Sequence, residues 1–326
     1  MFKRFFLTNK VFFIFVLCSA LILSLATTDA FAAKPKKKIF IVLFHSEQDS
    51  ERSFKEVMNE HFDVDWTMES PNRDKAKVKE IMERIPADTD LVYCYGTTVG
   101  KMAREIIVEK RGMTAVYCNS FDPVGAGISD SWDRAGARIV GGTIKVPAEV
   151  QLNIVKKLGN YKRIAVVYNP NETNGRIGFE EIDAIKGQYG YEIIPIAYLG
   201  PDDVGKMKNE LQKSKAELVI LTSSSSIMTK PTAVTEALIE MKLPTVSPSV
   251  QFAKDGALIS LGVSYGKLGR RVGEESVKIL NGADPTNMPV IQVDKFDMLV
   301  NLVTADKIGI SIPLSILRTA SEIIRE

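Results

Sequence analysis

The chain has 326 residues, 45% of them hydrophobic and 25% charged, which is the composition of a globular protein long enough for two domains and excludes a disordered, low-complexity chain. Its 42 Lys and Arg against 40 Asp and Glu leave a formal charge of +2, and His45 and His61 are the only histidines. Neither the basic footprint of a nucleic-acid binder nor a histidine metal cluster is expected.

Residues 1–10 carry Lys3, Arg4 and Lys10, residues 11–25 are apolar, and Ala30-Phe31-Ala32 precedes Ala33 in the small-x-small pattern of a signal-peptidase site. A cleaved export signal over 1–32 is expected, because the apolar stretch is short of the ~20 residues of a spanning helix. Loss of Lys3, Arg4, Lys10 and Asp29 leaves 39 basic and 39 acidic residues, a formally neutral chain. Cys94 and Cys118 each lie near the end of an apolar run, at a spacing that fits no metal pattern. In an oxidising compartment they either pair or remain two small buried thiols, the commoner outcome.

From residue 38 apolar runs alternate with amphipathic segments. Strands are expected at 39–44, 62–68, 91–95 and 114–118, with helices at 48–60, 71–85 and 97–110 between them and a short strand at 138–144 to close. Repeated βαβ of this kind requires a parallel sheet covered by helices on both faces. After Val146-Pro147 the order restarts, with helices at 148–158, 173–189, 201–213 and 230–242 and strands at 163–168, 191–198, 218–222, 245–247 and 257–261. A helix at 267–280 stops at Asn281-Gly282, and strands at 289–293 and 297–302 precede a terminal helix at 315–325. The second unit is complete before this tail, so the tail is expected to cross back and leave several strands, and hence a hinge, between two lobes.

Polar groups collect where the strands end: His45-Ser46-Glu47, Gly96-Thr97-Thr98, Asn119-Ser120-Phe121-Asp122-Pro123, Asn169-Pro170-Asn171-Glu172 and Thr222-Ser223-Ser224-Ser225-Ser226. Open α/β sheets bind small ligands at these carboxyl ends. Thr97, Thr98, Ser223 and Ser224 also stand at expected helix N-termini, where hydroxyls and free N–H groups suit a carboxylate. Singly each is a helix cap; together they point to one cleft. No G-x-S-x-G elbow, no G-x-x-x-x-G-K-[ST] loop and no G-x-G-x-x-G opening a helix occurs. No catalytic residue and no metal ligand is therefore assigned, and Asn171-Glu172-Thr173 matches a glycosylation sequon by accident.

The segments DPVGAG at 122–127, YNPNETN at 168–174, YGKLGRRVGEESVKILNGADPTNMPV at 265–290 and FDMLVNLVTADKIGISIP at 296–313 resemble the ABC-transporter substrate-binding family that includes tryptophan- and tyrosine-binding proteins. The resemblance implies an α/β, type I periplasmic-binding-protein fold: two Rossmann-like lobes with parallel sheets joined by three hinge crossovers, residues 33–145 plus 264–294 in one and 146–263 plus 295–326 in the other. It implies no cofactor, and a periplasmic or extracytoplasmic monomer that closes over a small polar or aromatic metabolite, an amino acid or related compound, for delivery to a membrane permease driven by an ATPase. Carried over by position, the ligand contacts fall on Gly96, Thr97, Thr98, Asp122 and Asn169 through Asn174, which include Asn171; Ser46, Glu47, Ser223, Ser224 and Tyr265 complete the expected site.

Two departures stand out. Where amino-acid-binding relatives tend to have an acidic residue after the third strand of the second lobe, this chain has TSSSS at 222–226, and Asn-Pro-Asn replaces their serines after Tyr168. A ligand ammonium needs a carboxylate, for which Asp122 or Glu47 is available. Tyr95, Tyr168, Phe121 and Tyr265 are either aromatic walls or core. The alternative reading is a ligand-sensing subunit of the same fold serving a membrane receptor or kinase.

Overall fold

A strand whose inner residues are all apolar must be covered on both faces, and β1 (Lys36–Val42), reading KKKIFIV, is covered by two cores at once. Ile39 and Ile41 face Phe54 and Met58, whereas Phe40 and Val42 face Ile81 and Ile107. The computed structural model describes residues 33–44, 46–293 and 295–326. The expected export signal, Cys18, His45 and Asp294 lie outside them.

The first unit continues with α1 (Asp49–His61), β2 (Asp63–Glu69), α2 (Lys75–Arg84), β3 (Leu91–Tyr95), α3 (Gly96–Ala103), β4 (Ala115–Ser120) and β5 (Ile139–Thr143). Its sheet has the order β2-β1-β3-β4-β5 and is parallel throughout. The helix expected over 97–110 divides: α3 gives way to a π-helix over Arg104–Lys110, a change of pitch that a 3.6-residue pattern does not register. Cys94 and Cys118 are free and buried. They sit in neighbouring strands but belong to the cores on opposite faces of the sheet, so their side chains point apart and cannot bridge.

The second unit comprises α4 (Ala148–Leu158), β6 (Arg163–Tyr168), α5 (Thr173–Tyr189), β7 (Glu192–Ala197), α6 (Val204–Ser214), β8 (Leu218–Leu221), α7 (Ser225–Thr229), α8 (Pro231–Glu240), β9 (Thr245–Ser247), α9 (Gln251–Lys254) and β10 (Ile259–Gly262). Here too each inner strand separates two cores, with Ile164 and Val166 against α4 and α5, and Ala165 and Val167 against α6 and α8. After β10 the chain returns to the first unit. Helix α10 (Tyr265–Leu280) places Leu268 and Val272 in the Ile39 core, and it lies so close to α1 that a Cβ on Gly269 would stand 2.1 Å from the Ser50 carbonyl oxygen.

A third passage brings β11 (Asp297–Asn301), α11 (Leu302–Ile308), α12 (Leu314–Leu317) and β12 (Glu322–Ile324) back to the second sheet, whose order is β12-β11-β10-β9-β8-β6-β7. Strand β11 is antiparallel to β10 and parallel to β12, the one reversal in otherwise parallel pairing. Two expectations for this tail fail. Residues 289–293 form only a single bridge, Ile291 to Gly142. The expected terminal helix is one turn followed by a strand: Ser321 N donates to Met298 O at 2.8 Å, and Ile323-Ile324 extends an open sheet edge. So short an apolar pattern fits both periods, and β-branched residues at an unpaired edge decide for the strand.

Candidate functional site

After β1, Ser46 is exposed and the Glu47 carboxylate is held 2.9 Å from Lys55 Nζ. Below them, at the start of α1, Glu51 is fully buried. It accepts from Gln48 N at 2.8 Å, Ser50 Oγ at 2.8 Å and Tyr93 OH at 2.5 Å. Asn119, in the left-handed region at φ 60°, donates from Nδ2 to Ser50 Oγ at 2.7 Å and lies close to Tyr95, beside which Tyr265 stands. Burial pushes the phenols of Tyr93, Tyr95 and Tyr265 and the thiol of Cys118 upward, so the network holds neither phenolate nor thiolate at neutral pH.

After β3 the chain turns at Gly96, whose φ is +77°, with open space where a Cβ would stand. Thr97 Oγ1 accepts from Phe121 N at 3.1 Å and lies 3.2 Å from Ser120 Oγ. The Thr98 hydroxyl and the N–H groups of Thr97 and Thr98 have no partner among the described residues, which leaves the positive end of α3 open. After β4, Asp122 is buried, with Oδ1 accepting from Gly125 N at 2.8 Å and Oδ2 3.1 Å from Lys145 Nζ.

In the second unit the ends of β6 and β8 are stitched together. Asn169 N donates to Ser224 Oγ at 3.0 Å, Asn169 Oδ1 accepts from Asn171 N at 2.9 Å, and Asn169 Nδ2 donates to Glu172 Oε1 at 2.9 Å and Ser226 Oγ at 3.3 Å. The Glu172 carboxylate crosses to α7, where it accepts from Ser226 N at 3.0 Å and from Ser225 N. Gly175 permits this closeness, since a Cβ there would stand 2.3 Å from Ser224 Oγ. Ser223 is buried beside Ser224, Asn174 is half-buried in the first turn of α5, and Asn171 is exposed. Tyr168 stacks on Phe179 with ring centroids 4.6 Å apart.

The expected site residues thus fall into two clusters. Among the described residues no hydrogen bond joins Thr97 or Asp122 to Asn169 or Ser224. The units meet instead at Lys145, whose ammonium pairs with Asp122 in the first and Glu181 on α5 in the second, and at Gly125, where a Cβ would stand 3.2 Å from Ile177 Cδ1. Sequence reasoning passed over Glu51, Lys145 and Glu181, and reached Glu172 only within the contact span Asn169 through Asn174, without a role for its carboxylate. Glu51 carried a signal, a carboxylate three residues after a helix cap; Lys145 is a lone charge between Ile144 and Val146; Glu181 is one charge among several on α5. What these groups offer is donors on one rim and acceptors on the other. No cluster of three or more His, Cys, Asp or Glu among the described residues could hold a metal ion.

The model of the family "ABC transporter substrate binding protein" matches residues 51–324. A tyrosine-binding protein of Clostridioides difficile (strain R20291) is 25% identical over 239 residues, 72% of this chain and 67% of that protein. Among solved structures, the ABC domain in complex with L-Trp from Streptococcus pneumoniae has a TM-score of 0.75 at 22% identity, over 88% of this chain and all of that one (100%). The ligand-free, open structure of a substrate-binding protein with adhesive properties from Clostridium difficile has a TM-score of 0.76 at 21% identity, over 89% of this chain and 100% of the other. These likenesses establish the two-sheet periplasmic-binding-protein fold.

Proposed function

Because the chain belongs to the ABC transporter substrate-binding protein family, we propose that it captures a small zwitterion of the amino-acid class between two lobes and hands it to a membrane permease. The lobes are residues 33–145 with 264–294, and residues 146–263 with 295–326. The observation that carries this reading is the division of polarity between the rims: the start of α3 is open at Thr97 and Thr98, whereas across the division the rim is edged by Asn169 and Glu172. The solute's carboxylate docks on the α3 N–H groups. Its ammonium faces Glu172, a carboxylate with room for about four hydrogen bonds that receives three from the protein. Tyr95 and Tyr265 flank the side chain, and Ser46, Glu47, Asn171, Asn174 and Ser223 border the mouth.

Glu172 also accounts for the TSSSS departure, because it brings an acid to that loop from a neighbouring strand end. Relatives described as binding tyrosine and L-Trp support the amino-acid class. No bond is made or broken and no cofactor takes part: closure desolvates the solute, and opening releases it. Residues 1–32 direct export and are removed, so that one copy acts outside the cytoplasmic membrane. No helix among the described residues is long and apolar enough to cross a membrane.

The test is thermal unfolding of residues 33–326, refolded from denaturant to strip carried solute, against L-tyrosine, L-tryptophan and their analogues lacking the amine or the carboxyl group. A solute at 100 times its Kd adds ~2.7 kcal/mol, and each truncated analogue is expected to bind more weakly than its parent. No shift with any amino acid overturns the class.

A further inference from the structure

Lys145 lies in the segment that leaves β5 and enters α4, one of the three passages between the sheets. Its side chain is 12% exposed and that of Asp122 is 11% exposed, a setting in which an unpaired ammonium is costly. The structure surrounds it from both sides. Asp122 Oδ2 is 3.1 Å away, Glu181 Oε1 forms a second ion pair, and the rings of Trp132 and Phe121 have centroids 5.2 and 6.0 Å from Nζ.

The two ends of this ion pair are not equally fixed. On the first-unit side, Asp122 is bound by Gly125 N at 2.8 Å, Thr143 Oγ1 donates to Phe121 O at 2.7 Å, and Lys145 N donates to Thr143 Oγ1 at 3.0 Å. Lysine, acid and aromatic ring therefore move together with β4 and β5. Glu181, 36% exposed and paired with Lys145, belongs to α5. One turn earlier on the same helix face, Ile177 Cδ1 lies 3.2 Å from where a Cβ on Gly125 would stand.

We infer that Lys145 is a latch between the lobes: its ion pair with Glu181 fixes the resting closure of the protein and must break or re-form when the lobes rotate about the crossovers. This rests on the two-lobe reading above. Glu181, the more exposed end of the latch, lets salt weaken the pair in part, less than it would a fully exposed pair, which gives it a signature that apolar contact lacks.

On residues 33–326, the experiment follows the distance between labels on Lys77→Cys and Lys213→Cys, exposed positions in the two lobes; Cys94 and Cys118, the native cysteines of that span, are buried and free and do not compete for label. Without ligand at low salt, Glu181→Gln is expected to broaden and shift the distance distribution. Wild type should shift toward that distribution as salt is raised to about 1 M, where the Debye length is ~3 Å, and Glu181→Gln should respond less to salt. Lys145→Met should give the same distribution with a lower melting temperature, since it bares Asp122. A Glu181→Gln distribution that superimposes on wild type at low salt overturns the latch. Added L-tryptophan or L-tyrosine separates the two readings: identical resting distributions that both contract remove the latch and keep solute capture, whereas differing resting distributions with no contraction keep the latch and remove capture of those amino acids.

Discussion

The third strand of each sheet, β3 in one and β8 in the other, runs into a helix, and the two helix starts are opposite in character. At α3 the first N–H groups have no partner among the described residues; at α7 they are closed by the chain's own Glu172. The pairing reverses at the first strand of each lobe, where Glu51 folds back on the start of α1 while α5 begins without a side-chain cap. One fold used twice therefore presents two unlike rims, and a zwitterion can be oriented by which helix ends the protein has filled for itself. The interiors differ as well. Tyr93, Tyr117, Cys94 and Cys118 are buried in the first lobe, whereas in the second Tyr198 is buried and Tyr161, Tyr189 and Tyr191 are half-buried, their phenols also raised by burial.

The largest expected effect tests that difference of interiors. Burial raises the phenols of Tyr93, Tyr95 and Tyr117 above the ordinary 10.0 and the thiols of Cys94 and Cys118 above the ordinary 9.0. The folded lobe then holds more protons than the unfolded chain once pH exceeds those ordinary values. Stability is intact below about pH 9 and falls as pH rises, by about 1.4 kcal/mol per pH unit for each group. Urea unfolding across this range, with limited proteolysis at about pH 10.5, should show the first lobe opening before the second. Simultaneous cleavage of both lobes would break the comparison.

Next in size is a pair of glycines on α5. A Cβ on Gly175 would stand 2.3 Å from Ser224 Oγ and 2.7 Å from the Asn169 carbonyl oxygen, whereas one on Gly178 would meet Thr222 at an ordinary 3.5 Å. Gly175→Ala should lose about 2–3 kcal/mol by forcing apart the ends of β6 and β8. Gly178→Ala should gain about 0.5–1 kcal/mol from helix propensity. Chemical denaturation reads both, and a shared sign would show that the second rim is not packed to contact at Gly175.

How far this rim could be foreseen is settled by particular residues. Strands such as Ile39–Val42 and Ile164–Val167 announce themselves, because burial on both faces leaves no polar position, and the loops at their ends follow from topology. The free ends of α3 and α5 were visible in Gly96-Thr97-Thr98 and Thr173-Asn174. The ion pairs were not: Glu172 meets Ser225 across 53 residues, and Lys145 meets Glu181 only because the chain crosses between sheets there. Long-range polar partners leave no period in a sequence. The tail misled for another reason, since Ile323-Ile324 has a helix-compatible spacing and becomes a strand only because β11 offers an edge.

Thr97→Val sharpens the comparison on the donor side. The substitution preserves shape but removes the acceptor of Phe121 N, a buried group, and should lower stability by about 1–2 kcal/mol. Because the α3 N–H groups are untouched, the preference for a carboxylate-bearing solute over its decarboxylated analogue should survive, measured by calorimetry. If that preference disappears with the hydroxyl, the seat is the Thr97 side chain and not the helix end.

The smallest effect is on the acceptor side. Glu172→Gln keeps an oxygen for one of Ser225 N and Ser226 N but removes the charge from the start of α7 and turns an amide N–H₂ toward the other donor. The folding loss should be about 0.5–1 kcal/mol, visible in the urea midpoint and reduced by salt. Against solutes the variant should be selective: affinity for an amino acid should fall about three- to fivefold, the scale of a partly exposed ion pair, while affinity for the analogue lacking the amine stays constant. Equal losses for both would mean that Glu172 only holds α7 in place, and the ammonium would then have to find its carboxylate at Asp122, where Lys145 already stands.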